Sequence, residues 1–97
     1  MRTAIVSAHV QFDIDPVEPV YVIGVVSQLV RLPIWTLRVL DRQGLVKPKR
    51  RVGRARLYSL EDVRQLIRIR QLCRDQGVNL DGVRVILKME TRRAGKA

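Results

Sequence analysis

The chain has 97 residues, which is room for one domain with a thin hydrophobic core. Its apolar fraction of 46% excludes a disordered chain. Lys and Arg number 19 against 9 Asp and Glu, and the resulting net charge of +10 predicts a polyanionic partner. Nucleic acid is favoured, and an acidic membrane surface is the main alternative on charge alone.

Cysteine content and hydropathy bear on where the protein works. Cys73 is the single cysteine, so no intrachain disulfide can form, which fits a cytoplasmic location. Residues 1–10 lack the apolar core of a signal peptide. The longest apolar stretch, residues 20–30, falls well short of the roughly 20 residues that a spanning helix needs. We therefore expect no membrane partner.

The first 20 residues are mildly acidic, whereas the remainder is strongly basic. Pro16 and Pro19 mark an irregular linker. The sequence predicts an irregular N-terminal arm over residues 1–20, with a short extended piece near residues 4–10.

Two short helices joined by a tight turn are predicted next. Apolar residues at helical spacing place the first helix at about residues 23–30. Pro33 suits the first turn of a second helix that runs to Arg42, and Gly44 ends it. This arrangement fits a helix-turn-helix, in which the second helix enters the DNA major groove.

The second helix has an inward and an outward side. Leu37 and Leu40 are expected in the core, supported by Ile34 or Trp35. The outward candidates for contacts with base edges are Trp35, Thr36 and Arg38. Arg38 can donate to a guanine edge or bridge to a phosphate. A core position for Trp35 and a solvated surface charge for Arg38 are the alternatives.

The stretch from residue 45 to residue 58 is the most basic of the chain. Pro48 and Gly53 rule out a continuing helix, and residues 52–54 are typical of a hairpin tip. From residue 42 to residue 58 there is no acidic residue, and the cations are Arg42, Lys47, Lys49, Arg50, Arg51, Arg54 and Arg56. Because like charges repel, this pattern favours a wing that contacts phosphates over a merely solvated loop. Tyr58 either contacts a phosphate through its hydroxyl or packs on the core.

The third helix has the clearest start signal in the chain. Ser59 and Asp62 form a capping-box pattern, and Gly77 ends the helix. Asn79 is expected to cap a fourth helix from residue 80 to about 90, which leaves residues 91–97 as a polar tail. The expected inward residues of both helices are Leu60, Val63, Leu66, Ile67, Ile69, Leu72, Cys73, Val83, Ile86 and Leu87. The predicted class is mostly α, a winged helix-turn-helix of four helices with a short β-hairpin wing over residues 21–90.

The residue types that catalysis needs are scarce. His9 is the only histidine, Cys73 is expected in the core, and no pair of histidines or cysteines has metal-ligand spacing. There is no glycine loop for phosphates and no Ser/His/Asp set. We expect neither an enzyme nor a cofactor.

Four motifs in this order resemble the DNA-binding domain of the MerR family. Residues 23–26 (IGVV) are similar to the opening helix, residues 36–46 (TLRVLDRQGLV) to the reading helix and its exit, residues 53–59 (GRARLYS) to the wing and the following cap, and residues 77–80 (GVNL) to the turn before the last helix. The resemblance implies a sequence-specific regulator of transcription that binds double-stranded DNA, in the cytoplasm and on the bacterial nucleoid.

Within that family, residues 75–83 (DQGVNLDGV) are similar to the heat-shock repressors. Those repressors act on chaperone operons at inverted repeats with help from the DnaK chaperone. The resemblance therefore implies a repressor of heat-shock genes, with DnaK as a co-repressor and a homodimer on DNA.

The sequence departs from the family pattern at several positions. Arg31 replaces a usual glycine, Pro33 replaces the usual cap, and Val39 and Leu40 stand where aromatic residues commonly contact DNA. The chain reaches Ala97 without the three or more heptads of a dimerising coiled coil, so the means of dimerisation stays open.

Two other functions are compatible with a small basic domain. An excisionase-like or architectural DNA-binding accessory protein would assemble head to tail without a coiled coil. An RNA-binding protein is the other alternative, but the few aromatic residues argue against stacking on single strands.

Overall fold

The computed structural model of the protein describes residues 15–50 and 56–96. In chain order these residues form β1 (Tyr21–Val22), α1 (Ile23–Val30), α2 (Ile34–Arg42), β2 (Lys49–Arg50), β3 (Arg56–Tyr58), α3 (Leu60–Arg70), a π-helical turn (Gln71–Asp75) and α4 (Leu80–Lys96). The predicted class is confirmed, since the fold is mostly helical with four helices and an antiparallel hairpin. The extended piece expected near residues 4–10 and the hairpin tip at residues 52–54 lie outside the described residues.

The hairpin is one side of a small three-stranded antiparallel sheet in the order β1-β3-β2. Tyr21 of β1 lies opposite Tyr58 of β3, and the Val20 amide donates to the Tyr58 carbonyl at 3.0 Å. Because β1 runs directly into α1, this pairing fixes the base of the hairpin to the first helix. The sequence analysis missed β1, since a strand of two residues carries no alternating pattern.

The chain turns by 106° between α1 and α2, which is typical of a helix-turn-helix. Arg31 ends α1 in the left-handed conformation (φ 58°), and its backbone N–H donates to the Ser27 carbonyl. The Ser27 hydroxyl donates to the Leu32 carbonyl at 2.6 Å. Pro33 is extended and occupies the N-cap position of α2, which begins at Ile34, one residue after the predicted start at about Pro33.

All four helices and β3 contribute to one hydrophobic core. Its buried residues are Val26, Val30, Leu37, Leu40, Val46, Tyr58, Val63, Leu66, Ile69, Leu72, Val83 and Leu87. The inward prediction for Leu37 and Leu40 is confirmed, since they are 0% and 1% exposed. The predicted support from Ile34 or Trp35 is wrong, because their side chains are 38% and 68% exposed. Trp35 lies about 160° around the helix from Leu37, on the opposite side.

Capping interactions set the start of α3 and the start of α4. The Asp62 amide donates to Ser59 Oγ at 3.1 Å and the Ser59 amide donates to Asp62 Oδ2 at 2.9 Å, which confirms the capping box. The Gly82 amide donates to Asn79 Oδ1 at 2.8 Å, so the predicted Asn79 cap is also confirmed. A Cβ on Gly82 would come within 2.7 Å of Val78 Cγ1, which explains a glycine in the first turn of this helix.

The fourth helix is longer than predicted. It continues to Lys96, so residues 91–96 of the predicted polar tail are helical. The prediction relied on apolar spacing, which stops near residue 90, whereas the later residues include no proline to interrupt the helix.

Candidate DNA-binding face

The outward side of α2 carries three of the predicted contact residues. Trp35, Arg38 and Arg42 are spaced three and four positions apart and therefore share one side of the helix. Trp35 is 68% exposed, and both arginines are exposed as well. Thr36 is half-buried at the edge of this side. The exposed indole excludes the alternative that Trp35 is a core residue.

A hollow of about 410 Å³ joins α2 to the sheet. Its lining residues are Val22, Ile23, Arg38, Asp41, Arg42, Pro48, Arg56 and Tyr58. Three of the predicted cations, Arg38, Arg42 and Arg56, therefore border one concave surface, although Arg56 comes from the hairpin. We call the outward side of α2 together with this hollow and the exposed side of the hairpin the DNA-binding face.

An ion pair connects the hairpin to α2 within this face. The Arg56 guanidinium donates to Asp41 Oδ2, with the Asp41 side chain 12% exposed and the Arg56 side chain 48% exposed. The sequence analysis missed this pair, since the two residues are 15 positions apart in different elements. Because Arg56 is still half exposed, the contact orients its guanidinium and leaves other N–H groups free to donate.

Tyr58 lines the base of the hollow, but its side chain is buried in the core. Its side chain is 1% exposed, which supports the packed role over the phosphate contact through the hydroxyl. Burial raises the pKa of Tyr58, and the carboxylates of Asp41 and Asp62 raise it further, whereas Arg56 and Arg38 act in the opposite direction. This burial favours the packed alternative. Arg56 and Tyr58 are two positions apart and share one side of β3, with Arg56 at the exposed end of the strand and Tyr58 at the buried end.

The remaining predicted cations belong to the stretch from residue 47 to residue 54. Lys47 and Lys49 are exposed, at the entry to β2 and within it. Arg50 pairs with Arg56 through the backbone of the two strands, but its side chain is outside the described residues. Arg51 and Arg54 lie outside them altogether.

The described residues offer neither a cluster of metal ligands nor a single membrane-spanning helix. Among residues 15–50 and 56–96, no group of three or more His, Cys, Asp or Glu side chains could hold a metal ion. Cys73 is half-buried against the core. No single helix in the same residues is long and apolar enough to cross a membrane, and α1 with α2 meets the length and composition criteria only as a sharply bent pair.

The 106° turn, the exposed cations of α2 and the adjoining basic hairpin together define a winged helix-turn-helix of the kind that binds DNA. The chain belongs to the MerR family of helix-turn-helix regulatory proteins, whose sequence pattern it matches over residues 21–90. This confirms the resemblance on which the sequence analysis relied.

The chain is similar to two curated proteins, one named a heat shock protein and the other a transcriptional regulator. A heat shock protein named HspR from Streptomyces coelicolor is 47% identical over 74 residues, which are 76% of this chain and 49% of that protein. The transcriptional regulator GlnR of Bacillus anthracis is 38% identical over 72 residues, which are 74% of this chain and 55% of that protein. The chain thus spans about half the length of the curated relatives it matches.

A solved structure has the same fold. The crystal structure of the transcription regulator PbrR691 of Ralstonia metallidurans, in complex with lead(II), superimposes with a TM-score of 0.68. The two chains are 29% identical, and the match covers 76% of this chain and 57% of that one. These homologues are transcription regulators, which agrees with the expectation that the chain has a regulatory role.

Proposed function

We propose that this protein is a sequence-specific repressor of heat-shock genes that reads duplex DNA with α2 and binds the flanking backbone with its hairpin. The observation that carries the proposal is the outward side of α2, where Trp35 is exposed beside two arginines without internal partners in the described chain. The heat-shock target rests on the 47% identity to HspR over most of this chain.

The residues of the DNA-binding face are proposed to have two roles, which are contacts with bases and contacts with phosphates. Arg38 lies near the middle of α2 and would donate to a guanine edge, while Trp35 and Thr36 would contact neighbouring bases. The residues that contact phosphates would be Arg42, Lys47, Lys49, Arg50, Arg51, Arg54 and Arg56. Their contacts with phosphates add affinity and fix the register but carry little sequence information.

The test is a selection of bound duplexes from a random DNA library at near-physiological salt. An enriched inverted repeat would support a symmetric dimer on DNA and the repressor assignment. An enriched direct repeat would instead support head-to-tail assembly, as in an excisionase-like accessory protein. No enriched sequence would contradict sequence-specific regulation, because the basic surface would then bind without readout.

Single substitutions, measured on the selected DNA site, then test which residues read bases and which bind phosphates. Arg38→Ala should reduce discrimination between the selected site and random DNA by about 1–3 kcal/mol. Lys49→Ala should weaken both duplexes equally and lower the salt slope by about one unit. Equal losses on both duplexes for Arg38→Ala would contradict its reading role.

The co-repressor is a separate part of the proposal. DnaK is proposed as a partner because of the similarity to heat-shock repressors, and a pull-down of DnaK on the immobilised chain tests it. Failure to retain DnaK would remove this partner without affecting the DNA-binding part of the proposal.

A further inference from the structure

A second concave surface lies between the end of α2 and the two C-terminal helices. It has a volume of about 500 Å³ and is lined by Gly44, Leu45, Gln65, Arg84, Leu87, Lys88, Thr91 and Arg92. None of these residues lines the hollow of the DNA-binding face. We call this surface the basic groove.

Three cations border the basic groove along one side of α4. Arg84, Lys88 and Arg92 follow each other at intervals of four residues, so they line up along the helix. Lys88 and Arg92 are exposed, and neither makes a hydrogen bond or an ion pair within the described part of the chain. Among the residues that the structure describes, no acidic side chain lines the groove. Such a row of unneutralised cations attracts an anionic partner.

The third cation is already held in place. The Arg84 guanidinium donates to the Gln43 carbonyl at 3.0 Å, just beyond the last residue of α2. A guanidinium has five N–H donors, so others stay available to a carboxylate. Because Arg84 is ordered before any partner arrives, a partner would bind it with a smaller loss of side-chain entropy.

The floor of the groove is apolar, which distinguishes a protein partner from a nucleic acid. Leu87 belongs to the core and Leu45 packs against it half-buried, and both side chains line the groove. A nucleic-acid backbone offers only the small C–H surface of its sugars to cover such a floor. An amphipathic helix with an apolar stripe and flanking carboxylates would satisfy the floor and the cations together.

We propose that the basic groove binds an acidic amphipathic helix of a partner protein. The helix would lay its apolar stripe over Leu45 and Leu87 and place carboxylates against Lys88 and Arg92. The surface is separate from the DNA-binding face, so the chain could hold DNA and this partner at the same time.

The experiment measures the affinity of a synthetic helical peptide, with leucines along one stripe and glutamates on both flanks, by fluorescence anisotropy at near-physiological salt. The test variant is Lys88→Glu with Arg92→Glu. The matched control is Arg64→Glu with Arg74→Glu, which reverses two exposed cations outside the groove and changes the net charge equally. We expect the test variant to bind the peptide about tenfold more weakly and the control less than about threefold.

Three outcomes would overturn the proposal. One is a failure of the unsubstituted chain to bind the peptide. A second is equal weakening in both variants, which would reduce the effect to net charge. The third is a larger loss of DNA affinity in the test variant than in the control, which would make the groove a phosphate contact. Circular dichroism of each variant checks that the helices are retained, and the peptide result does not depend on the proposed repressor function.

Discussion

The arginines of α3 and those of α2 differ in whether their guanidinium groups have hydrogen-bond partners within the protein. On α3, the Arg68 guanidinium donates to Glu90 at 2.7 Å, and Arg70 donates to the Val30 carbonyl at the end of α1 at 2.9 Å. On α2, Arg38 and Arg42 are exposed and make no hydrogen bond or ion pair within residues 15–50 and 56–96. The first pair holds helices together, and the second is available to a ligand.

Because some of its cations are bound within the protein, the net charge of +10 does not measure the capacity to bind a polyanion. The hydrogen bond to Glu90 raises the pKa of Arg68 above its usual value, so this cation is stabilised by the protein itself. Arg56 lies between the two situations, since it pairs with Asp41 but stays half exposed. Cations without an internal partner are the ones that mark a binding surface.

The largest effect should come from the helices that support the DNA-binding face. Leu66 is fully buried on α3, which packs against α1 and β3, so Leu66→Ala should lower the free energy of unfolding by about 2–5 kcal/mol. Leu29→Ala, at a side chain that is 55% exposed, is the control and should cost about 0.5 kcal/mol or less. Denaturant unfolding measures both, and similar losses would contradict the described core.

The comparison of arginines is tested most directly by a matched pair of substitutions. Arg70→Met removes the donor to the Val30 carbonyl and should lower the free energy of unfolding by about 1–3 kcal/mol. Arg38→Met should change stability by about 0.5 kcal/mol or less while it weakens DNA binding. Thermal unfolding and DNA titration of both variants check this. A stability loss for Arg38→Met as large as that for Arg70→Met would remove the distinction.

The turn between α1 and α2 is expected to be more stable with glycine at position 31. Arg31 has a left-handed backbone conformation, which disfavours any residue with a Cβ atom. Arg31→Gly should therefore raise the free energy of unfolding by about 0.5–1 kcal/mol, the relief being partly offset by the greater freedom of glycine in the unfolded chain. Unchanged or lower stability in chemical denaturation would show that the Arg31 side chain itself stabilises the turn.

The smallest effect at neutral pH is expected at Tyr58. Its pKa is raised in the folded state, so its neutral form stabilises the protein below the unfolded pKa of 10.0, and this contribution is lost as the pH rises through the folded pKa. Tyr58→Phe should remove that alkaline loss and leave DNA affinity unchanged. Unfolding curves between neutral and strongly alkaline pH measure the first effect. If Tyr58→Phe reduced the affinity for DNA, the Tyr58 hydroxyl would have to contact a phosphate after all, although its buried position argues against this.

Local chemistry made the helices and their caps predictable from the sequence. Ser59 with Asp62 and Asn79 are capping residues whose partners lie within three positions, so their contacts depend on few other parts of the chain. The outward side of α2 could be predicted for a similar reason, since helical spacing alone puts Arg38 opposite the core. The bounds of α1 were predicted from the sequence as well, because its apolar residues recur at helical spacing.

The sequence by itself determined the class of fold, the order of the four helices and the hairpin, and the basic character of α2 and the hairpin, because these follow from short-range spacing and composition. The tertiary structure decided which cations are free. Arg56 meets Asp41, Arg70 meets Val30 and Arg84 meets Gln43 across 15, 40 and 41 positions, and no local pattern specifies such contacts. They form because packing of the core brings distant segments together, and that packing also leaves Arg38 and Arg42 facing outward.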